Sequence, residues 1–280
     1  MKAIAIFDID GVLRDVGGSY RQAIMDTVEK FTTILTPKSY RPVMADIDQL
    51  KSEGIWNNDW HASQELIYRH VEHQGIAREQ LGLDYEALVE FFQSRYQGTD
   101  SEQWNGYICS EPLLCQPEYF EQLIHGQIAW GFFSGAMRDE ALYALRGRLG
   151  IESPCLMAME DAPDKPDPTG LFKVIQLVES QFGLTPETQG MLPVVYAGDT
   201  VADLKTTELA QQQQPNRRWI GVGVLPPHVQ VDPERAKSYR EKLESAGAQW
   251  VIENIEQLTP EKIQQLTRHS VPESVPEESS

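Results

Sequence analysis

Ala3-Ile4-Ala5-Ile6-Phe7-Asp8-Ile9-Asp10-Gly11-Val12-Leu13-Arg14-Asp15 runs an unbroken apolar stretch into two acids and a glycine. Apolar residues this dense, with no polar alternation, predict a strand covered on both faces, as in a parallel sheet. The carboxyl end of such a strand is where an open α/β sheet places its ligands. Asp8 and Asp10 are two apart and point to opposite sides of an extended chain unless the backbone turns between them, which Gly11 permits. Two acids brought together there can divide the work of a nucleophile and a proton donor. The plain alternative for these residues alone is a strand followed by an Asp-rich turn.

After Asp15 the pattern becomes helical for about a hundred residues. Ser19 is placed to cap a helix with Tyr20, Ile24, Val28, Phe31 and Leu35 on one face, stopped by Pro37. Further helices are expected from Val43 to Glu53 (ending at Gly54), from Asn58 or Asp59 to Gly75, and after Asp84, making a small bundle. From Ile128 onward strands and helices alternate: Ile128–Phe133, Cys155–Met159, Pro193–Ala197, Trp219–Val222 and Gln249–Ile252 are the expected strands. That alternation predicts a doubly wound α/β core. From Ser270 the chain is Ser, Pro, Glu and Val, the composition of a flexible acidic tail.

The 280 residues are 41% hydrophobic, enough for a substantial core, and 24 basic against 42 acidic residues leave a net charge of −18. With no basic cluster, that charge opposes nucleic acid and anionic membranes as partners. Cys109, Cys115 and Cys155 lack metal-ligand spacing and read as reduced thiols. The N-terminal apolar run is too short for a signal peptide and no run approaches membrane-spanning length, so the cytoplasm is the expected compartment.

Three more loops follow strand ends with polar chemistry. Ser134-Gly135 offers a hydroxyl and backbone N–H groups to an anion, although serine is also a common helix cap. Lys165 stands in Asp164-Lys165-Pro166-Asp167-Pro168, a loop stiffened by two prolines. Asp199 and Asp203 stand four apart, on one face of a helix's first turn. Oxygen ligands so placed suit Mg²⁺, while acids at a helix N-terminus are also favoured by its dipole.

Taken together and in this order, these loops resemble the four motifs of the haloacid dehalogenase superfamily. The resemblance covers residues 1–15 and 119–258 as a Rossmann-like core, with residues 16–118 similar to its inserted α-helical cap and 259–280 as a C-terminal helix and tail. It implies that Asp8 is the nucleophile forming an aspartyl-phosphate and that Asp10 is the general acid and base. Ser134, Gly135 and Lys165 would hold the phosphoryl group. Asp8, the Asp10 carbonyl and Asp199 would bind Mg²⁺, with Asp203 supporting directly or through water. Dehalogenases and phosphonatases lack an acid at the Asp10 position, so a phosphatase acting on a small phosphorylated metabolite is the expected activity. A phosphomutase, which keeps every motif, and a non-catalytic phosphometabolite-binding protein are the alternatives. Lys51 with Asn57-Asn58-Asp59-Trp60-His61 is the cap cluster best suited to reach a leaving group, or else a helix cap with Trp60 packed beneath. Arg14 and Arg138 could contact an anionic leaving group, or be surface arginines.

Overall fold

The structure is a computed structural model and describes residues 1–51, 53, 55–56, 58–100, 103–185 and 190–268. The chain forms two compact units, one comprising Met1–Leu13, Cys115–Leu225 and the segment from Asp232, the other Arg14–Leu114 and Pro226–Val231.

In chain order, β1 (Ala3–Phe7) precedes four helices, α1 (Tyr20–Leu35), α2 (Met44–Lys51), α3 (Asp59–His73) and α4 (Tyr85–Tyr96). Next come α5 (Pro117–His125), β2 (Ile128–Phe133), α6 (Arg138–Leu142), β3 (Leu156–Met157) and α7 (Thr169–Gln181). The chain continues through β4 (Val194–Gly198), α8 (Val201–Gln213), β5 (Trp219–Val224), α9 (Pro227–Gln230), α10 (Pro233–Ser245), β6 (Trp250–Ile252) and α11 (Pro260–Arg268). Among the described residues, no helix is long and apolar enough to cross a membrane. The expected acidic tail from Ser270 lies outside the described residues.

The first unit is the doubly wound α/β core that the alternation predicts. Its six strands are parallel in the order β3-β2-β1-β4-β5-β6. Every residue of β1 is fully buried, which explains why Ala3–Phe7 shows no polar alternation. On one face Ile4 and Ile6 pack with Leu171, Val174, Ile175 and Val178 of α7 and with Tyr196 of β4. Close packing there depends on Gly131 of β2, where a Cβ would stand 2.6 Å from Val178 Cγ2. Strand β3 is shorter than expected: Ala158 donates its N–H to Asp161 Oδ2 at 2.7 Å, and that bond turns the chain after Met157.

In the second unit α1 packs against α3 and α4. Asn58 and Asp84 cap α3 and α4, accepting N–H bonds from Trp60 and His61 and from Ala87. The expected stop at Gly54 lies outside the described residues. Ser19 corrects the sequence expectation: it makes no capping bond, and its hydroxyl donates to Glu111 instead. Glu111 also accepts from the Tyr96 hydroxyl at 3.1 Å and pairs with Arg14 at 3.1 Å, both charged side chains being 1% exposed. Arg14 is therefore no surface arginine. It lies where this unit begins, opposite Leu113 in an isolated antiparallel bridge, and Asp15 donates its N–H to the Pro112 carbonyl at 2.8 Å. The entering and leaving segments of the unit are thereby tied together.

The packing at Gly131 leads to a stability prediction. Gly131→Ala should cost about 1–3 kcal/mol by overpacking, read from urea unfolding. Val178→Ala in the same chain should recover part of that loss. An unchanged midpoint in the single variant would show that α7 does not press on β2 as described.

Candidate active site

The parallel sheet reverses its strand order on either side of β1, and the loops after β1 and β4 open at that point. Asp8 follows β1 directly and donates its N–H to the Ala197 carbonyl of β4 at 2.9 Å, so the two strand ends are in register. Gly11 takes a left-handed conformation, φ +74°, and a Cβ on it would stand 2.2 Å from Asp199 Oδ2. The first loop can therefore lie against Asp199 only with glycine at this position.

Among the described residues, Asp8, Asp199 and Asp203 bring carboxylate oxygens within 4.8 Å of one another. Asp203 is held most completely. Thr200, the cap of α8, donates its N–H and its hydroxyl to Oδ2 at 3.0 and 2.6 Å, and the Tyr196 hydroxyl donates to Oδ1 at 2.7 Å. Lys165 Nζ reaches both Asp203 Oδ1, at 2.7 Å, and Asp8 Oδ1, at 3.0 Å. The Lys165-Pro166 peptide is cis. Ser134 follows β2, next to β1 in the sheet; its hydroxyl accepts the Ala136 N–H at 3.1 Å, and its own N–H goes to the Met157 carbonyl. Gly135 is exposed, with open space where a side chain would be.

Three acids around one ammonium leave the cluster two charges negative in its fully ionised form. Burial, opposed by Lys165 and reinforced by Asp203 and Asp10, pushes the Asp8 carboxyl up to about 7. Burial followed by the charges of Asp8 and Asp203 holds Asp199 well above the usual carboxylate range. Asp203 goes the other way: burial opposes its charge, but Lys165, Thr200 and Tyr196 together hold it below that range. Lys165 resists its own burial through the same two acids and stays raised. A hard divalent cation fits this donor set, which is all oxygen and carries the excess charge that such an ion would neutralise.

Other sequence candidates have local partners. Asn57 lies outside the described residues. Asn58 is spent on capping, and Lys51 pairs with Asp59 at 2.6 Å. His61 stacks on Tyr85. Arg138 pairs with Asp161 and donates its N–H to Glu160. The residue that sequence reasoning missed is Tyr196; its one signal is a polar-tipped aromatic in the otherwise apolar strand Val194–Gly198.

No family model matches the chain. A curated relative, an imidazoleglycerol-phosphate dehydratase of Phytophthora nicotianae, is 29% identical over 175 residues, 61% of this chain. The match spans only 35% of that relative's length. Solved structures resemble the chain more fully. A phosphatase, Tt82, from Thermococcus thioreducens is 20% identical, with a TM-score of 0.61, over 84% of this chain and 98% of its own. A phosphonoacetaldehyde hydrolase-like protein from Oleispira antarctica is 17% identical, with a TM-score of 0.63, over 96% and 95%. A candidate haloacid dehalogenase-like hydrolase from Bacteroides fragilis is 19% identical, with a TM-score of 0.58, over 92% and 100%. Together with the strand order and the loops after β1 and β4, these likenesses give the chain the fold of the haloacid dehalogenase superfamily.

Proposed function

We propose that the chain is a Mg²⁺-dependent phosphatase that hydrolyses a small-molecule phosphate monoester through an aspartyl-phosphate on Asp8. The observation that carries this reading is the cluster at the ends of β1 and β4, where Asp8 meets Lys165 at 3.0 Å with Asp199 and Asp203 beside it. In this reading residues 1–15 and 119–258 are the catalytic core and the helical insertion selects the leaving group.

The roles follow from the chemistry of the groups. Asp8 attacks phosphorus while Asp10 gives its proton to the departing alcohol oxygen. Asp10, now a carboxylate, takes a proton from water, and that water attacks the phosphorus of the acyl phosphate. Inorganic phosphate leaves and Asp8 is restored. The Lys165 ammonium, the Ser134 hydroxyl proton and the Gly135 N–H hold the phosphoryl oxygens. Bound Mg²⁺, with Asp8, the Asp10 carbonyl and Asp199 as ligands and Asp203 in support, would offset the repulsion between Asp8 and a phosphate dianion.

The curated relative supports a finer reading. Its name specifies a phosphate monoester borne on an imidazole compound, and a segment similar to this chain accounts for about a third of its length. On that likeness, a phosphorylated imidazole compound is the substrate class we put first.

A panel of phosphorylated metabolites, including imidazoleglycerol phosphate, glycolate phosphate and sugar phosphates, should show released phosphate with Mg²⁺. Dialysis against chelator should abolish it and Mg²⁺ should restore it. The Mg²⁺ requirement should steepen as pH falls below about 7, because protons then compete for Asp8. Full turnover in excess chelator would remove these acids as metal ligands, and indifference to the imidazole ester would remove the finer reading.

The two acids of the first loop should also separate kinetically. Asp10→Asn should lose roughly 10²–10⁴-fold in turnover, the usual value of proton transfer, yet still give a burst with an aryl phosphate whose leaving group needs no proton. Asp8→Asn should give no burst. Equal bursts in both would place the nucleophile elsewhere.

A further inference from the structure

We propose that Tyr196 is a positioning residue of this site, acting on Lys165 through a shared oxygen of Asp203 and through its own ring. The inference rests on the phosphatase reading for what Lys165 does, but its geometry stands in the chain itself. Tyr196 is fully buried in β4 and packs in the core with Ile4, Ile6 and Phe133. A phenylalanine would fill that space without a hydroxyl needing a partner. The hydroxyl that is present donates to Asp203 Oδ1 at 2.7 Å, the same oxygen that Lys165 Nζ approaches at 2.7 Å. It also lies 3.4 Å from the Phe133 carbonyl, at the end of β2 just before Ser134.

The ring does a second job. Lys165 Nζ stands 5.6 Å from the Tyr196 ring centroid and 5.1 Å from that of Phe133, within reach of cation–π attraction to both. The two rings are 6.1 Å apart and inclined at 30°. The ammonium thus meets two aromatic rings and two carboxylates, Asp203 and Asp8.

The shared oxygen sets the balance. Asp203 Oδ2 already accepts both Thr200 donors, so Oδ1 is the oxygen that Lys165 meets. By donating to Oδ1, Tyr196 reduces Asp203's hold on the ammonium and leaves it shared with Asp8, on the side where a phosphoryl group would sit. Without the hydroxyl, Lys165 settles onto Asp203. Asp203 itself keeps Lys165 and both Thr200 donors, so the fold has little reason to weaken.

Tyr196→Phe tests this. The inhibition constant of inorganic phosphate should rise, and kcat/KM fall, each by about tenfold, the low end of what a hydrogen bond to a charged group is worth. The thermal midpoint should stay close to that of the parent, and in metal-free protein the ¹⁵Nζ resonance of Lys165 should move. In a Lys165→Gln background, whose amide still donates to Asp203, the same change should have no further effect on phosphate affinity. An unchanged Lys165 resonance with unchanged phosphate affinity, or an equal loss in the Lys165→Gln background, would overturn the proposal. If Lys165→Gln alone leaves phosphate affinity and turnover intact, the phosphatase site is misassigned, while the resonance still decides whether Tyr196 holds Lys165.

Discussion

Asp8, Asp199 and Asp203 crowd together with one lysine, which pairs with Asp8 and Asp203, and the architecture of the core can be understood from that constraint. Like charges so close oppose their own ionisation, which is why burial and mutual repulsion push Asp8 and Asp199 up. Asp203 escapes because Thr200, Tyr196 and Lys165 all donate to it, although Lys165 also reaches Asp8. The site is divided between one acid held below the usual carboxylate range and two held above it.

The sheet makes that concentration of charge possible. Its parallel strands deliver four loops to one edge, and the reversal of order beside β1 opens a gap there. Backbone donors at the start of α8 and the register between Asp8 and Ala197 hold the loops without side chains that would fill the gap. Glycine at position 11 is part of the same economy of space, since any Cβ would collide with Asp199. The helical unit solves a different charge problem. Glu111 and Arg14 are buried at its root, where an unpaired partner would cost about 3–5 kcal/mol, and Ser19 and Tyr96 complete the Glu111 shell. That arrangement favours one pairing of the two segments that open and close the unit.

Much of this was legible because it is local. An apolar run ending in Asp8-Ile9-Asp10-Gly11 declares a buried strand and its turn, and Asp84 declares the start of α4 within a few residues. The illegible parts depend on partners distant in sequence. Ser19 reads as a helix cap, but the acid that claims its hydroxyl is 92 positions away. Arg14 reads as a surface cation for the same reason. Tyr196 reads as core, and it is core; its hydroxyl meets Asp203, seven positions on, only once β4 and the start of α8 are both in place. Strand β3 looked longer because the Asp161 side chain that ends it counts as part of a turn only after the chain has folded back.

The account stands on Asp8 as the atom that receives phosphorus. The direct measurement is to quench the protein during turnover of an activated phosphate ester, reduce the acyl phosphate with borohydride and locate the reduced residue by peptide mass spectrometry. Reduction confined to position 8, and absent when the ester is omitted, is the predicted result. Reduction at another acid, or no trapped acyl phosphate during steady turnover, would contradict it.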